Sequence, residues 1–552
     1  MKTWLAGWVP LLVLVLASGC KTPGPTQPSA SDGRLPNLGR HTLRVTTGSV
    51  EAQRAFDRGL TLAYAFSHRA AEEEFRRAAA ADPELAMAWW GIALVNGPHI
   101  NFPAVPPESA RKAWDALNRA TVLSAHASAL EQDLIRALGK RYADPQPEDR
   151  SALDQAYAEA LREVWHSHRR NADVGTLFAE ALMDLHPWDL WDLSGAAKPW
   201  TPEIVSTLEQ TLSLNRRHPG ANHLYIHAVE ASGQPGKALA AADRLGSLVP
   251  DASHLVHMPS HIYARTGRWK AAADSNQRAM QADVIYRRVF PQPGFYAMYM
   301  AHNTHFLAFT AMMRGRSQEA LRMARSMVAE VPADFLRDFA PVVDGYMIFP
   351  SAALMRFGRW EEILAERLPP SGLPLSLALW HFTRAVALTA LDRPGDARRE
   401  QAAFVEATAA VPGEWAFGNN PAAAILAVAA RVLDGEMAAK AGRFDEAIAS
   451  LREGVRLEDE LRYDEPPDWI QPVRHTLGAV LMHAGRPAEA EMVYRADLVN
   501  FPGNGWSLYG LGRALHRQGR HSAARVVEKQ FGQAWVGADI QLNSTCLCQP
   551  GM

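Results

Sequence analysis

A spacing that recurs along most of the chain limits its fold more than any other feature. An alanine, an aromatic residue four places on, a second small residue three after that and a proline five further occur at Ala71, Phe75, Ala78 and Pro83. The spacing returns at Ala490, Tyr494 and Pro502, with Asp497 at the second small place. Looser copies lie at Ala238/Ala242/Leu245/Pro250, Ala272/Asn276/Ala279, Ala320/Ala324/Met327/Pro332, Ala447/Leu451/Gly454 and Ala524/Glu528/Phe531. Two neighbouring pairs of leading alanines, 238/272 and 490/524, are 34 residues apart. Most copies follow a helix pattern that ends in a glycine, at 233, 267, 315, 358, 442, 485 or 519. Small residues at fixed places let two helices approach, the aromatic fills the gap, and proline ends the second helix. The chain therefore reads as one array of antiparallel helix pairs over residues 50–535, not as the three or so globular units that 552 residues would otherwise suggest.

These features resemble the tetratricopeptide repeat, which implies an all-α, right-handed α-solenoid with two antiparallel helices per repeat. Comparison of HMPSHIYARTGRW (257–269) with IFPSAALMRFGRW (348–360) supports duplication, and longer connections are expected near 96–108, 185–201 and 284–298. The segments NHLYIHAVE, HxxHMPSHIY and AHNTHF, together with AMAWWGIAL, resemble a group of bacterial tetratricopeptide-containing proteins; this resemblance implies the fold and no activity.

Histidine is distributed unevenly over this array. The chain has 20, and seven of them (His223, His227, His254, His257, His261, His302 and His305) fall within 83 residues, where an even spread would place three. In arrays of the resembled type, the first-helix places 2, 5, 9 and 12 look into the concave groove. Counting back from each second-helix alanine puts all seven histidines, and Glu230, on such places. Helix geometry agrees, because offsets of three, four and seven residues keep His254, His257 and His261 on one stripe and His223, His227 and Glu230 on another. Glu180 is expected at a groove place of the preceding repeat, and His475 faces the same groove farther along.

Imidazoles and carboxylates at such offsets on facing helices are how helical proteins hold metal ions. His223, His227, His254, His257, His261, His302, His305 and Glu180 are the expected ligands of a divalent transition metal (Zn, Fe, Mn or Cu). Their number exceeds one four-coordinate ion and allows a dinuclear centre, with Glu230 as the expected acid/base. The connections 96–108, 185–201 and 464–471, rich in Pro, Trp and carboxylates, are expected to fold over the groove and line a site for a small molecule or peptide. The favoured reading is a metal-dependent enzyme, with no basis for choosing hydrolase or oxidoreductase. A metal-free scaffold for a protein or peptide partner, or a metal-handling protein, are the alternatives.

Residues 1–20 (MKTWLAGWVPLLVLVLASGC) have a lysine, an apolar run and small residues before Cys20, as in a secretory signal. Leu16-Ala17-Ser18-Gly19-Cys20 resembles a lipobox, with Ala17 where leucine is usual; this implies lipidation of Cys20 and a bacterial cell-envelope protein held to the membrane by that anchor only. Residues 21–49 are expected to be a flexible tether and 536–552 a C-terminal tail. With 57 Lys+Arg against 59 Asp+Glu the net charge is −2, which gives no electrostatic case for nucleic acid. Three cysteines exclude a disulfide scaffold and a Cys-based zinc fold, and Cys546-x-Cys548 is expected to be too short a loop for an ordinary disulfide, which leaves a minor soft-metal site or, as the favoured reading, no site.

Overall fold

The computed structural model describes residues 33–549; the expected signal, Cys20 and residues 21–32 of the expected tether lie outside them. The described chain is a succession of antiparallel helix pairs, among them Val50–Ala63 with His68–Ala81, Ala297–Met313 with Ser317–Glu330, Ala422–Lys440 with Phe444–Asp459 and Gly505–Arg517 with His521–Ala534. Among the described residues, the strands are one two-residue pair, Ala416–Phe417 against Asn420–Pro421. No described helix is long and apolar enough to cross a membrane.

The repeat spacing has a direct physical basis. Phe75 is fully buried, and a Cβ added at Gly59 or Gly91, on the helices flanking it, would come within 2.7 or 2.5 Å of its ring. Tyr494 stands in the same relation to Gly478 and Gly510, where an added Cβ would approach the ring to 2.3 Å. In these two repeats the aromatic of the second helix is thus clamped between first helices that have glycine at the contact. One expected connection is shorter than the sequence suggests: the helix Trp269–Val289 runs into 284–298, because Ala279, Ala282 and Tyr286 continue its buried stripe.

Two large apolar cores share the chain, one built from Leu35 to Met300 and the other from Ala308 to Cys548. A small cluster of Ala264, Trp269, Ala272, Phe306, Phe309 and Met313 joins them. The solenoid curls back on itself at this junction. Trp269 Nε1 donates to Pro502 O at 2.9 Å and Arg265 Nη1 to Asn500 O at 3.2 Å. Gly267 has φ +76°, and a Cβ there would stand 2.6 Å from Pro502 O, so the closure needs a residue with neither side chain nor aversion to left-handed backbone.

Both ends of the described chain are packed. Residues 33–49 differ from the expected flexible tether: Leu35, Leu38 and Leu43 are buried, and Arg58 Nη2 donates to Leu35 O at 2.8 Å. The tail folds over the second core through Ile540, Leu542 and Leu547. There the expectation against a disulfide fails. The turn around Leu547 brings the Cα atoms of Cys546 and Cys548 to 5.3 Å, within reach of a bridge, and the two sulfurs are joined.

Candidate metal centre

The centre is assembled from three consecutive first helices. Pro219–Glu230 is buried along its whole length; Pro219 starts it, and the His218 side chain accepts from Ala221 N to cap it. Its residues 223, 227 and 230 share one stripe. The next first helix is split at Met258 into Ser253–His257 and Pro259–Arg265, since Pro259 cannot continue the hydrogen-bond ladder. The third, Ala297–Met313, carries His302 and His305.

Six of the seven clustered histidines come together, in two sets. His223, His227 and His254 form one and His257, His261 and His302 the other; within each set, one ring nitrogen per residue lies within 4.8 Å of the others. The sets adjoin, with ring centroids of His254 and His257 5.9 Å apart and those of His227 and His261 6.0 Å apart.

Hydrogen bonds to the outer ring atoms fix which nitrogen faces inward. His223 Nδ1 donates to Tyr64 O at 2.7 Å, and a carbonyl can only accept. His227 Nδ1 donates to Glu230 Oε1 at 2.8 Å and His261 Nδ1 to Glu230 Oε2 at 2.5 Å. His257 Nδ1 donates at 2.7 Å to Asn276 Oδ1, whose own Nδ2 is committed to Ala272 O. The Nε2 lone pairs of these residues therefore point at one another. His223 Nε2 lies 3.1 Å from His254 Nε2, His257 Nε2 lies 2.8 Å from His261 Nε2, and His227 Nε2 is buried with no partner. Imidazoles held from behind by a carboxylate, amide or carbonyl, with inward lone pairs, match the arrangement of protein metal ligands.

The electrostatics keep these rings neutral. Burial, reinforced by neighbouring imidazoles, holds His223, His254, His257 and His302 well below the usual histidine range. His227 is also lowered by burial, against the pull of Glu230. His261 is the exception: burial lowers it, but Glu230 outweighs burial and raises it. Burial alone would favour the neutral acid of Glu230, yet His261 and His227 hold its carboxyl far below the usual range. This changes the role expected for Glu230. Both of its oxygens are taken up by histidine protons, so it orients the two sets and links them instead of standing free as a base.

Other expected residues fall elsewhere. His305 turns its edge to Phe349 and Tyr346, at centroid distances of 4.5 and 5.5 Å, and burial among apolar groups brings it down to about 3. Glu180 belongs to neither set; burial and Asp184 push it up to about 8 while Arg141 opposes them. His475 Nε2 donates to Asp497 Oδ2 at 2.9 Å in a separate buried network with Asn504 and Ser507.

The structure adds residues that the spacing does not single out. Phe66, with φ +54°, lies against the first set, 4.6 Å from His223 and 5.6 Å from His254 between centroids. It also lies against His99, at 4.8 Å, which in turn meets His68 at 4.5 Å. A non-glycine residue in left-handed backbone is strained, and such strain gathers at functional sites. A further buried group, His41, Asp173 and His218, is already satisfied. Asp173 Oδ1 accepts from His41 Nε2 at 2.8 Å, Tyr64 OH at 2.9 Å and His218 Nε2 at 3.1 Å. Tyr64 thus ties this network to His223.

A cavity of about 870 Å³ opens onto His227 and Glu230. Trp188, Trp191 and Ile100 line it from the two N-terminal connections, and Tyr463, Glu465 and Asp468 from 464–471 and its edge. Tyr463 OH lies 3.3 Å from Glu230 Oε2 and 3.2 Å from Glu465 Oε2, while Glu465 Oε1 is buried without a partner. Burial pushes Glu465 up to about 7 against the pull of Arg265 and His261.

Comparison with known proteins agrees with the repeat geometry. The tetratricopeptide repeat profile matches residues 304–326, 471–496 and 505–527. No curated protein matches the sequence. Among solved structures, the human IFIT1 dimer with PPP-AAAA is similar at 11% identity and TM-score 0.32, over 87% of this chain and 89% of that one. The human IFIT1 dimer with m7Gppp-AAAA is similar at 11% and 0.33, over 90% and 92%. The APC/C hetero-tetramer Cut9-Hcn1 is similar at 13% and 0.29, over 89% and 79%. The fold is an all-α solenoid of the tetratricopeptide type.

Proposed function

We propose that this solenoid is a metal-dependent enzyme acting on a small molecule or peptide, with His223, His227 and His254 holding one ion and His257, His261 and His302 a second. The observation that carries the reading is the convergence of six imidazoles in two adjoining sets, four of them held from behind through Nδ1, with His227 on the wall of a cavity of about 870 Å³. Three protein ligands per ion leave a coordination position open for water or substrate, as catalytic sites require. All-imidazole sets suit Zn, Cu or Fe better than Mn. Glu465, a cavity-lining residue with one buried oxygen that has no partner, would hold or give up a proton there, and Tyr463 connects it to Glu230. With the secretory signal and lipidated Cys20 expected from residues 1–20, the chemistry belongs in the cell envelope, the lipid serving as the only membrane attachment.

Metal analysis of the purified protein tests this reading. We expect about two ions per chain, and about one in each of His223→Ala/His254→Ala and His257→Ala/His261→Ala. Less than about 0.2 ion per chain, with no uptake on add-back, would overturn it and leave the metal-free scaffold.

A further inference from the structure

Outside the histidine centre, one buried group of metal-ligating side chains is not satisfied by its surroundings. Glu436 lies inside the helix Ala422–Lys440 and is 1% exposed. The folded-back tail places sulfur against one of its oxygens: Oε1 is 2.7 Å from Cys548 Sγ and 3.3 Å from Cys546 Sγ. Its Oε2 accepts from Gln549 Nε2 at 2.7 Å, also from the tail. The cysteines are 2% and 6% exposed. Gln471 closes the group, with Nε2 3.8 Å from Cys546 Sγ and a buried Oε1 that has no partner.

A disulfide sulfur carries no hydrogen. While the two sulfurs are joined, neither can donate to Glu436 Oε1, and the buried carboxylate has the Gln549 amide and the Thr476 hydroxyl as its donors, too few to make an ionised group comfortable there. Burial accordingly pushes Glu436 up to about 7. Reduction reverses the mismatch. Two thiols can donate to Oε1, or two thiolates and the carboxylate can share a cation, and the three ligand atoms already lie within 4.8 Å of one another.

We propose that Cys546, Cys548 and Glu436 form a second kind of metal site, for one thiophilic divalent cation of the zinc class, available only when the cysteine pair is reduced. Opening the site takes two electrons and two protons from two equivalents of a small-molecule thiol: the first thiolate breaks the S–S bond to form a mixed disulfide, the second displaces the protein thiol, two S–H groups form, and the two reductant molecules leave joined as their own disulfide. The cation then displaces one proton from each thiol. Whereas the disulfide links the tail only to itself, the bound cation fastens it to a helix 110 residues away.

Cadmium reports directly on such a site, because thiolate ligation gives an ultraviolet charge-transfer band that imidazole ligation does not. The experiment uses the full chain with Cys20→Ser, so that the pair supplies the only thiols. The protein is reduced with a phosphine, freed of it under nitrogen, checked for two free thiols and titrated with Cd²⁺. The expected result is a band saturating at about one Cd²⁺ per chain in the reduced protein, absent from the oxidised protein and from Cys546→Ser/Cys548→Ser. Glu436→Gln, nearly isosteric, keeps both thiols and is expected to weaken binding about tenfold or more. The band is expected to survive His257→Ala/His261→Ala. No band in reduced protein, an equal band after oxidation, unweakened Glu436→Gln, or loss of the band with the histidine variant would each overturn the proposal.

Discussion

His257 and His261 face each other Nε2 to Nε2 at 2.8 Å, although each has already given its Nδ1 proton to another group, Asn276 for one and Glu230 for the other. Two lone pairs so placed repel unless something positive lies between them. A single proton on His261, the one ring of the two sets whose affinity for protons is raised, meets that need, and so does a metal ion.

A metal bound as proposed would compete with that proton for the same position. Zinc added to apoprotein at neutral pH is expected to release protons, and its affinity to fall with pH from above the ordinary histidine value of about 6.5, because Glu230 raises His261. Calorimetry in two buffers of different ionisation enthalpy measures the protons released; identical heats in both would contradict the competition.

The buried neutral imidazoles also set the acid stability of the apoprotein. Burial brings His68 down to about 4 and His305 to about 3, and holds His99 and His223 well below the usual range. A folded value below the unfolded one means that the unfolded chain takes up protons first. The stability is thus fully present above about 6.5 and is lost as pH falls toward the folded values, by up to about 1.4 kcal/mol per pH unit for each such group. Thermal unfolding midpoints between pH 8 and pH 4 should decline below 6.5, and the decline should be shallower in His68→Gln.

His302 and His305 are one helical turn apart, yet they should behave differently. His302→Ala is expected to lose about one ion per chain and His305→Ala none, in elemental analysis of the purified variants. Equal losses would mean that the ring of His305 leaves Phe349 to join the centre.

Glu230→Gln keeps the shape of the side chain but can no longer accept from both His227 and His261. Metal affinity is expected to fall about 10–100-fold, as for other groups behind metal ligands, while Tyr463→Phe should change affinity little and stability by about 1 kcal/mol. A competition titration with a chromophoric chelator measures the first, and denaturant unfolding the second.

The closure of the solenoid rests on Gly267. Gly267→Ala places a Cβ 2.6 Å from Pro502 O at φ +76° and is expected to cost about 1–3 kcal/mol while loosening the contact between the halves. A lower unfolding midpoint together with a larger radius of gyration in solution scattering would report both effects.

How far the site could be read from the sequence follows from what periodicity encodes. Repeat spacing fixes which face of a helix a residue occupies, and this sufficed for the stripe His223–His227–Glu230 and for His254, His257 and His261. It does not say which neighbour that face meets, so His305, on a groove place, turns instead to Phe349 at the start of the helix Phe349–Arg356, beyond Ser317–Glu330. His99 lies in a connection, where no period applies, and His68 opens a helix four residues after Tyr64; only the curl of the chain brings them beside His223 through Phe66. The same limit hid the approach of Tyr463 to Glu230, a contact across 233 residues. The packing of residues 33–49 was hidden because the anchoring leucines 35, 38 and 43 follow neither a helical nor a strand period among Arg, Thr and Gly.

That long-range contact has a consequence for biosynthesis. A chain made from its N-terminus has both imidazole sets once residue 302 has emerged, while the wall that carries Tyr463, Glu465 and Asp468 is still unmade. Until then the first helices form a basin open to whatever solutes surround the nascent chain. The order of synthesis thus offers an interval in which ions can reach the imidazoles freely, and the arrival of the last third of the chain ends it by enclosing them. If the centre binds metal as proposed, the ion taken up would then depend on the compartment in which that enclosure happens.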